Sequence, residues 1–399
     1  MTSIKKIDNI KVIIGNFPVK SNISYIFHKQ IIQFFDYISK KIINTKEFKK
    51  YPDLFQFGFW CRKSNIIKLS QDYLSKKMVV GRGIVFHLPP SNVPMNFAYS
   101  LAFGMLSGNT NIVRLPSKNF NQIQIFCKIV KEIIKKKNLS TIRKKIIFIR
   151  YDRSEKISAY LSKNVDARLI WGGDNTVEKF KTYETKKKCV DLNFPNRYST
   201  SVINVNALSK LNKFNFDQII KRFYSDCYTM DQNGCSSPQS IIWVGKDTDK
   251  IINKFWNTLN KIVDKEYSHD LPVTNNKIFT LSNLVLKNKN NLNFNIKNFK
   301  ITRIKSKKIP FELENINCNF GTFFEIRINK IEELKNIITE KFQTVTTYGI
   351  KKNRIKKLIL NNNLKGIDRI VSIGSAFNMS EKWDGYDTIH FLSRIINDA

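Results

Sequence analysis

Short apolar runs and longer amphipathic stretches alternate along the chain between residues 83 and 192. The short runs predict strands over 84–88, 111–115, 145–151, 167–171 and 189–192. The stretches between them repeat apolar residues at helical spacing and predict helices over 94–107, 120–136, 154–163 and 175–186. Repeated units of strand, helix and strand predict an α/β fold with a doubly wound parallel sheet. In such a sheet a ligand binds beyond the carboxyl ends of the strands.

The rest of the chain completes the predicted organisation. Residues 1–75 carry helical apolar spacing and are predicted to pack on a dinucleotide-binding, Rossmann-type domain that spans 76–205. A second α/β domain, which contains the candidate catalytic cysteine, is predicted over 206–370, and a C-terminal return segment over 371–399. Four local features are expected there: a solvated excursion over the Asn- and Lys-rich stretch 287–308, a strand over 368–374, a turn over 383–385 and a short helix over 390–396.

The strong positive charge changes this picture little. The 399 residues carry a formal net charge of +36, which comes mostly from lysines scattered in short runs such as 135–137 and 186–188. Nucleic-acid surfaces favour arginine because its planar fork binds two acceptors at once. We therefore expect no nucleic-acid partner, although the positive field would attract anionic ligands such as coenzyme A or a dinucleotide.

Cysteine, histidine and hydropathy patterns indicate the compartment. The six cysteines form no Cys-x-x-Cys pair and the four histidines have no metal-ligand spacing, so no metal site is predicted. The N-terminal stretch lacks the apolar region of a signal peptide, and no apolar run is long enough to span a membrane. These patterns predict a reduced, cytoplasmic protein with no membrane span.

A polar turn at 230–239 holds the candidate nucleophile. Cys235 follows a glycine there and precedes the apolar strand 240–244. Structural cysteines usually lie in apolar runs, whereas a nucleophilic cysteine needs partial exposure, dipoles that favour the thiolate, and backbone that can approach a carbonyl. The setting of Cys235 is of the second kind, and a packed structural thiol is the alternative.

Three other turns follow predicted strands and carry candidate binding residues. Asn92 lies between prolines after the first strand, where its side chain could face the crevice or cap the next helix. Gly172 and Gly173 join a strand to a helix start whose N–H groups suit a pyrophosphate, although they do not form the G-x-G-x-x-G fingerprint. Arg114 and Lys118 follow another strand, where they could meet a ribose phosphate or remain solvated surface charges.

The order of these motifs is typical of the aldehyde dehydrogenase superfamily. Within that superfamily, the chain from about residue 78 to its C-terminus resembles the LuxC-type acyl-CoA reductases, the fatty acid reductase component of bacterial bioluminescence. Four segments carry the resemblance: 81–85 (GRGIV), 111–117 (NIVRLPS), 231–239 (DQNGCSSPQ) and 383–387 (WDGYD). The cysteine segment and the Trp-Asp-Gly-Tyr segment make it specific.

The resemblance implies reduction of an acyl thioester to an aldehyde. Cys235 would attack the thioester and hold the acyl group, while Asn92 and the Cys235 backbone N–H would bind the oxyanion. Hydride from a nicotinamide would then release the aldehyde, with Gly172 and Gly173 beside the pyrophosphate. A long-chain fatty acyl group is expected from the resemblance alone.

Two departures from the superfamily pattern refine the reaction. The segment 190–195 contains no glutamate where hydrolytic members carry their general base, which favours reduction over acid formation, although Asp191 could act as a shorter substitute. Lys118 follows Ser117 where NAD-preferring members have a glutamate, and a cation there suits a 2′-phosphate. NADPH is therefore the expected cofactor and NADH the alternative.

Two other functions remain open. One is a hydrolytic NAD(P)-dependent aldehyde dehydrogenase, and the other is a non-catalytic basic binding protein on a borrowed fold. For the reductase, the expected partners are an acyl-CoA or acyl-protein thioester donor, an acyl-transferring protein, and further copies of the chain in a homo-oligomer.

Overall fold

A computed structural model describes residues 10–74, 77–246, 249–268, 271–287, 292–306 and 319–397. The α-helices are α1 (Lys29–Asn44), α2 (Pro52–Trp60), α3 (Lys63–Ser70), α4 (Asn96–Leu106), α5 (Asn121–Ile133), α6 (Ser140–Arg143), α7 (Glu155–Asn164), α8 (Asp174–Lys181), α9 (Val205–Ser209), α10 (Lys213–Tyr228), α11 (Asp249–Glu266), α12 (Leu271–Lys287), α13 (Lys352–Asn361) and α14 (Thr388–Phe391). The strands are β1 (Lys11–Ile14), β2 (Met78–Gly81), β3 (Ile84–Leu88), β4 (Thr110–Arg114), β5 (Ile146–Arg150), β6 (Ala167–Trp171), β7 (Val190–Phe194), β8 (Tyr198–Asn204), β9 (Ser240–Val244), β10 (Leu292–Asn298), β11 (Ile301–Ser306), β12 (Thr322–Ile328), β13 (Phe342–Tyr348), β14 (Arg369–Ser372), β15 (Lys382–Trp383), β16 (Tyr386–Asp387) and β17 (Ser393–Ile396).

The chain divides into two compact units. The first comprises Met1–Pro195 and Glu381–Ala399, and the second comprises Asn196–Ser380. The predicted domain over 206–370 lies within this second unit, which extends further at both ends. Its N-terminal boundary moves because β8, which was assigned to the first domain, pairs with β9 and β13 in the sheet of the second unit.

The sheet of the first unit has the strand order β1-β5-β4-β3-β6-β7. Strands β3 to β7 are parallel, as the sequence pattern predicted, and β1 pairs antiparallel with β5 at one edge. The chain runs from β3 through β4 to β5 on one side and then returns to β6 and β7 on the other. The carboxyl ends of β3 and β6 therefore meet where the strand order reverses, which is the position where doubly wound sheets bind ligands.

Helices cover both faces of this sheet. On one face α7 and α8 contribute Ile157, Leu161, Val177 and Phe180 to a core shared with β3, β4, β5 and β6. On the other face, rings of α4 and α5 pack against β5, with Phe97 contacting both Phe126 and Phe148. Each such side chain contributes about 1.5–3 kcal/mol when fully buried, so burial on two faces fixes the positions of the strand ends.

The C-terminal segment of the first unit corrects one prediction. A helix was expected over 390–396, but α14 ends at Phe391 and β17 pairs antiparallel with β2. Spacing of apolar residues in this short segment is compatible with either structure, and the pairing with β2 decides between them. The predicted turn at 383–385 is confirmed, because Asp384 and Gly385 join β15 to β16 with φ angles of 53° and 79°.

The sheet of the second unit has the order β10-β11-β12-β9-β8-β13-β14, with β10 antiparallel at one edge and the other strands parallel. Strands β10 and β11 lie in the stretch 287–308, so the expected solvated excursion is wrong for its described part, residues 292–306. Ile301 and Ile304 are buried there. The alternation Leu292, Phe294, Ile296 was a strand signal hidden by the surrounding Asn and Lys residues.

Two apolar layers enclose this second sheet. Helices α12 and α13 pack on one face through residues such as Leu281 and Ile355, and α10 and α11 pack on the other through residues such as Phe223 and Phe255. The predicted strand near 368–374 is confirmed as β14. Within the described ranges, no helix combines the length and the apolar character needed to cross a membrane.

Candidate active site

Cys235 lies in a tight turn between α10 and β9. The turn is closed by the N–H of Ser237, which donates to the carbonyl oxygen of Gly234 over 2.9 Å. The Cys235 side chain is partly exposed, whereas its neighbours Gly234 and Ser236 are buried. Because β8, β9, β12, β13 and β14 are parallel, their amino ends lie on the same edge of the sheet, and the turn occupies that edge.

The buried side chain of Gln232 fixes the backbone around the turn. Its amide nitrogen donates to the carbonyl oxygens of Pro238 (2.9 Å) and Thr322 (3.1 Å). Its amide oxygen accepts from the N–H groups of Gly321 (2.7 Å) and Thr322 (3.0 Å). Asp231 and Gln232 both adopt positive φ angles, 52° and 57°, which non-glycine residues hold only when their surroundings impose it. The turn is thus a fixed structure.

Side chains at the starts of β8 and β13 contact Cys235 directly. The hydroxyl of Ser199 donates to the Cys235 carbonyl oxygen over 2.6 Å and accepts from the N–H of Thr344 over 3.2 Å. The amide nitrogen of Gln343 donates to the Cys235 sulfur, Sγ, over 3.6 Å. A donor aimed at sulfur favours negative charge there, which is the charge of the nucleophilic form.

Arg369, the first residue of β14, brings a positive charge to the same edge. Its guanidinium donates to the carbonyl oxygens of Ala376 and Asn378, both over 3.0 Å, and to the hydroxyl of Thr344 over 3.3 Å. Burial lowers the pKa of Arg369 to about 10, while electrostatic interactions with Cys235 and then Asp226 raise it. Arg369 therefore remains charged at neutral pH, and negative charge on Cys235 would stabilise that charge.

Asp226 ties the Cys235 turn to the loop that follows β14. Its carboxylate accepts from the N–H groups of Gly374 (2.6 Å) and Ala376 (2.9 Å), and its backbone carbonyl accepts from the hydroxyl of Ser237 (2.7 Å). Burial raises the pKa of Asp226 to about 6, although these two N–H groups and Arg369 act in the opposite direction.

The other described cysteines have a different environment. Burial raises the pKa of each of their thiols: to about 12 for Cys127, to about 11 for Cys189, and also for Cys61 and Cys227. A neutral, buried thiol is a poor nucleophile. Among the described residues, no group of histidine, cysteine and acidic side chains is arranged to hold a metal ion.

In the first unit, the turns after β3 and β6 lie at the switch point of the sheet. Asn92 is exposed in the turn after β3, and it is not the cap of α4, whose N-cap position is Met95. Gly173 is the N-cap of α8 and Gly172 precedes it, so the first-turn N–H groups of α8 point from this edge. Strands β3 and β6 are direct neighbours, which brings these two turns side by side.

The turn after β4 lies at the same edge. Ser117 and Lys118 are exposed, and the Lys118 ammonium lies 5.1 Å from the centre of the Phe120 ring. Arg114 is half-buried, with its guanidinium 4.5 Å from the ring centre of Tyr151 and a hydrogen bond of 3.2 Å to the Tyr151 carbonyl oxygen. Lys118 is thus more accessible to a ligand than Arg114.

Solved structures with the same fold are aldehyde dehydrogenases. Lactaldehyde dehydrogenase from Escherichia coli matches with a TM-score of 0.64 at 12% identity, over 92% of this chain and 85% of that chain. Aldehyde dehydrogenase 21 from Physcomitrella patens, in complex with the product succinate, matches with a TM-score of 0.65 at 11% identity and the same coverage. Glyceraldehyde-3-phosphate dehydrogenase from Methanocaldococcus jannaschii, complexed with NADP, matches with a TM-score of 0.62 at 15% identity, over 92% and 88%. The predicted aldehyde dehydrogenase fold is confirmed.

The sequence itself decides the family. Residues 68–396 match the family model described as acyl-CoA reductase (LuxC). The chain belongs to the LuxC acyl-CoA reductase family. A comparison with curated protein sequences finds no significant match. The predicted family and the predicted class of enzyme, an oxidoreductase that acts as an acyl-CoA reductase, are both confirmed.

Asp191 of this acyl-CoA reductase, the possible substitute for a general base, is occupied by an ion pair. Asp191, considered above as a substitute for the missing glutamate, pairs with the buried Arg168 through both carboxylate oxygens. It also lies near the amino end of β7, whereas Asn92, Lys118 and Gly173 follow the carboxyl ends of their strands. Asp191 therefore serves the structure of the sheet.

Several residues around Cys235 in this reductase were not identified from the sequence. Gln232 lies in the same motif as Cys235, and its polar character at a buried position was a usable signal. Ser199, Gln343 and Arg369 are 36, 108 and 134 positions away along the chain, and only the register of the parallel strands brings them to one edge. Asp226 was not identified because it lies near the end of α10, outside any recognisable sequence motif.

Proposed function

We propose that this acyl-CoA reductase converts a long-chain fatty acyl thioester to the aldehyde with NADPH, through an acyl group held on Cys235. The observation that carries the proposal is the partly exposed Cys235 thiol, whose sulfur accepts a hydrogen bond from the Gln343 amide. The thiols of the other described cysteines are disfavoured as nucleophiles by raised pKa values, and three of them, Cys61, Cys127 and Cys227, are also buried. The family match supports the acyl thioester as substrate.

The first half of the reaction transfers the acyl group. The Cys235 thiol releases its proton to solvent, and the thiolate uses its electron pair to form a bond to the thioester carbon. The bond from that carbon to the donor sulfur breaks, and the departing thiolate takes up a proton. Coenzyme A is the proposed donor, and an acyl-protein delivered by a transferring partner is the alternative donor.

The second half reduces the enzyme thioester. A bound nicotinamide dinucleotide would supply the hydride. The acyl carbon then carries a hydroxyl after proton uptake, the hydroxyl loses its proton as the carbonyl reforms, and the carbon–sulfur bond breaks. Cys235 departs as a thiolate, so the donors that favour negative charge on Sγ assist this step as well as the first.

Asn92 is proposed to stabilise the oxyanion that forms in both halves. The proposal rests on the family resemblance and on the exposure of Asn92 in the turn after β3. Removing one oxyanion donor typically costs a factor of about 10²–10³ in turnover. Asn92→Ala should lower kcat by that order while alkylation of Cys235 by iodoacetamide continues at the wild-type rate.

The carboxyl edge of the first sheet fits the proposed dinucleotide. The N-terminus of α8 at Gly173, together with Gly172, provides N–H groups for the pyrophosphate. Lys118 and the hydroxyl of Ser117 are exposed to meet a 2′-phosphate, and Arg114 adds positive charge at the same edge. Lys118→Glu should reverse the preference from NADPH toward NADH, measured as the ratio of kcat/KM for the two cofactors. An unchanged ratio would remove Lys118 as the selecting residue.

The acyl intermediate can be tested directly by mass. Purified wild type is incubated with hexadecanoyl-CoA without cofactor, beside Cys235→Ala and the matched control Cys189→Ala, which removes the other partly exposed thiol. We expect one acyl increment on the wild type and on Cys189→Ala, and none on Cys235→Ala. An increment retained in Cys235→Ala would place the nucleophile elsewhere. Absence of an increment with acyl-CoA of every chain length would remove coenzyme A as the donor.

The hydrolytic alternative predicts a different product. If water rather than hydride resolved the acyl-enzyme, incubation with acyl-CoA would yield free fatty acid at a rate independent of NADPH. We expect aldehyde that accumulates in proportion to NADPH consumed. Light scattering coupled to size-exclusion chromatography tests the accompanying proposal that the reductase is a homo-oligomer.

A further inference from the structure

Arg369 is held in one orientation by three acceptors. Two of them, the carbonyl oxygens of Ala376 and Asn378, belong to the loop after β14, and the third is the hydroxyl of Thr344 at the start of β13. Thr344 directly follows Gln343, the residue whose amide contacts the Cys235 sulfur. An arginine side chain that is free in solvent samples many rotamers, and three contacts in different directions remove most of that freedom.

The loop that carries the carbonyl acceptors is itself fixed from α10. The Asp226 carboxylate accepts hydrogen bonds from the N–H groups of Gly374 and Ala376. The carbonyl of Ala376 accepts from Arg369. The backbone carbonyl of Asp226 also accepts the Ser237 hydroxyl from the Cys235 turn. One buried residue thus holds both the Arg369 loop and the cysteine turn.

Removing charged groups from water costs free energy, and apolar packing does not offset that cost. The half-buried Arg369 guanidinium and the buried Asp226 carboxylate each lose hydration, and such groups are retained only where hydrogen bonds and opposite charge compensate. Here the compensation comes from the three acceptors of Arg369 and from electrostatic interactions with Cys235 and Asp226. The acceptor Thr344 directly follows Gln343, which donates to the Cys235 sulfur, so the guanidinium is held close to that sulfur. The arrangement therefore favours negative charge at the sulfur.

We propose that Arg369 is a positioning residue that stabilises the thiolate of Cys235, and that Asp226 fixes the position of the Arg369 loop relative to the cysteine turn. The inference rests on the proposed function, because it assumes that Cys235 is the nucleophile. A cation near Sγ lowers the free energy of the thiolate before attack, and again when the sulfur departs from the reduced acyl carbon. Both events place negative charge on the same atom.

The test compares the reactivity of Cys235 in full-length variants. Arg369→Met removes the charge and keeps an unbranched, flexible side chain. Arg369→Lys keeps the charge. Arg354→Met is a control that removes an exposed arginine paired with Glu332 in the same unit. The rate of Cys235 alkylation by iodoacetamide is followed by mass spectrometry from pH 6 to 10. We expect Arg369→Met to react about tenfold more slowly at pH 7. Its alkylation profile should move to higher pH and reach the wild-type maximum there.

Arg369→Lys distinguishes the loss of positive charge from a general loss of local structure. Arg369→Lys should recover at least a third of the lost rate at pH 7, and Arg354→Met should match the wild type. If Arg369→Met keeps the wild-type profile, or loses rate equally at every pH while Arg369→Lys loses as much, the proposal is overturned. Failure of the proposed function would look different, because wild-type Cys235 would then take no acyl group from any acyl-CoA.

Asp226 gives a second, independent comparison. Asp226→Asn keeps the shape of the side chain but replaces one acceptor oxygen with a donor, which opposes one of the two N–H groups. We expect alkylation of Cys235 at pH 7 to slow by about threefold or more, with the profile moved in the same direction as in Arg369→Met. A profile that stays at the wild-type position would show that Asp226 does not act through Arg369.

Discussion

Neutral polar side chains, rather than carboxylates, make the direct contacts of the Cys235 turn. Gln232 fixes the backbone, Ser199 holds the cysteine carbonyl and Gln343 approaches the sulfur. Amide and hydroxyl groups supply directed hydrogen bonds without adding negative charge beside a thiolate. The positive charge proposed to act on the sulfur is that of Arg369, and the buried carboxylate of Asp226 holds the loop that binds it.

The titration of Asp226 leads to a prediction about stability. Its pKa is about 6 in the folded protein, above the usual value near 3.8, because of burial. The folded state therefore binds a proton more tightly than the unfolded state does. The stabilisation from this proton is complete below about pH 3.8 and is lost as pH rises through 6. A difference of about two pKa units corresponds to about 3 kcal/mol.

The prediction is measured against Asp226→Asn, which cannot titrate. From pH 4.5 to 7.5, the free energy of unfolding of the wild type should fall relative to that of the variant by about 2 kcal/mol, because the unfolded carboxyl is already largely ionised at pH 4.5. Hydrogen exchange of peptides from α10 reports the second unit alone. Parallel curves for the two proteins across this range would contradict the elevated pKa.

At the scale of elements, the close packing of the cysteine turn leads to a second prediction. A Cβ atom on Gly234 would lie 2.6 Å from Cε1 of Phe377, in the loop that holds Arg369. Gly234→Ala should therefore displace Phe377, lower stability by about 1–3 kcal/mol and slow Cys235 alkylation. Phe377→Leu alone should have a small effect, and combined with Gly234→Ala it should restore most of the lost rate. If the double variant is as slow as Gly234→Ala, the steric explanation is wrong.

The same scale shows what the sequence could and could not predict. The five parallel strands of the first unit were predicted because short apolar runs alternate with amphipathic helices, and the central strands β3, β4 and β6 are almost entirely buried. The region 287–308 was misread because composition outweighed the alternation of Leu292, Phe294 and Ile296. The segment 390–396 was misread because its structure is set by pairing with β2, which lies more than 300 residues earlier in the chain.

The same contrast between local sequence patterns and distant strand pairing applies to the candidate site. Cys235 was predicted because its polar turn is local and contiguous. Gln343 and Arg369 were not, because they reach the turn only through the register of β8, β13 and β14. A local sequence pattern was enough to predict the proposed nucleophile, whereas the residues proposed to act on it come together only through pairing of strands that are distant in sequence.

At the scale of the whole molecule, the second unit is one continuous segment, Asn196–Ser380, with its own sheet and a core on each face. A segment of this size can bury enough apolar surface to fold alone. It also contains Ser199, Gln232 and Gln343, whose side chains contact the cysteine turn. We therefore predict that a fragment spanning 196–380 folds and alkylates Cys235 at a rate close to that of the full chain, without reducing acyl-CoA.

A shorter fragment provides the matched control. The boundaries expected from the sequence, 206–370, remove β8, which lies between β9 and β13 in the centre of the sheet. They also remove the loop at 374–378 that binds Asp226 and Arg369. Loss of a central strand leaves two unpaired strand edges and opens both cores, so this fragment should fail to fold. Circular dichroism and size-exclusion chromatography compare the two fragments. Folding of the shorter one, or aggregation of the longer one, would contradict the division of the chain at 195 and 380.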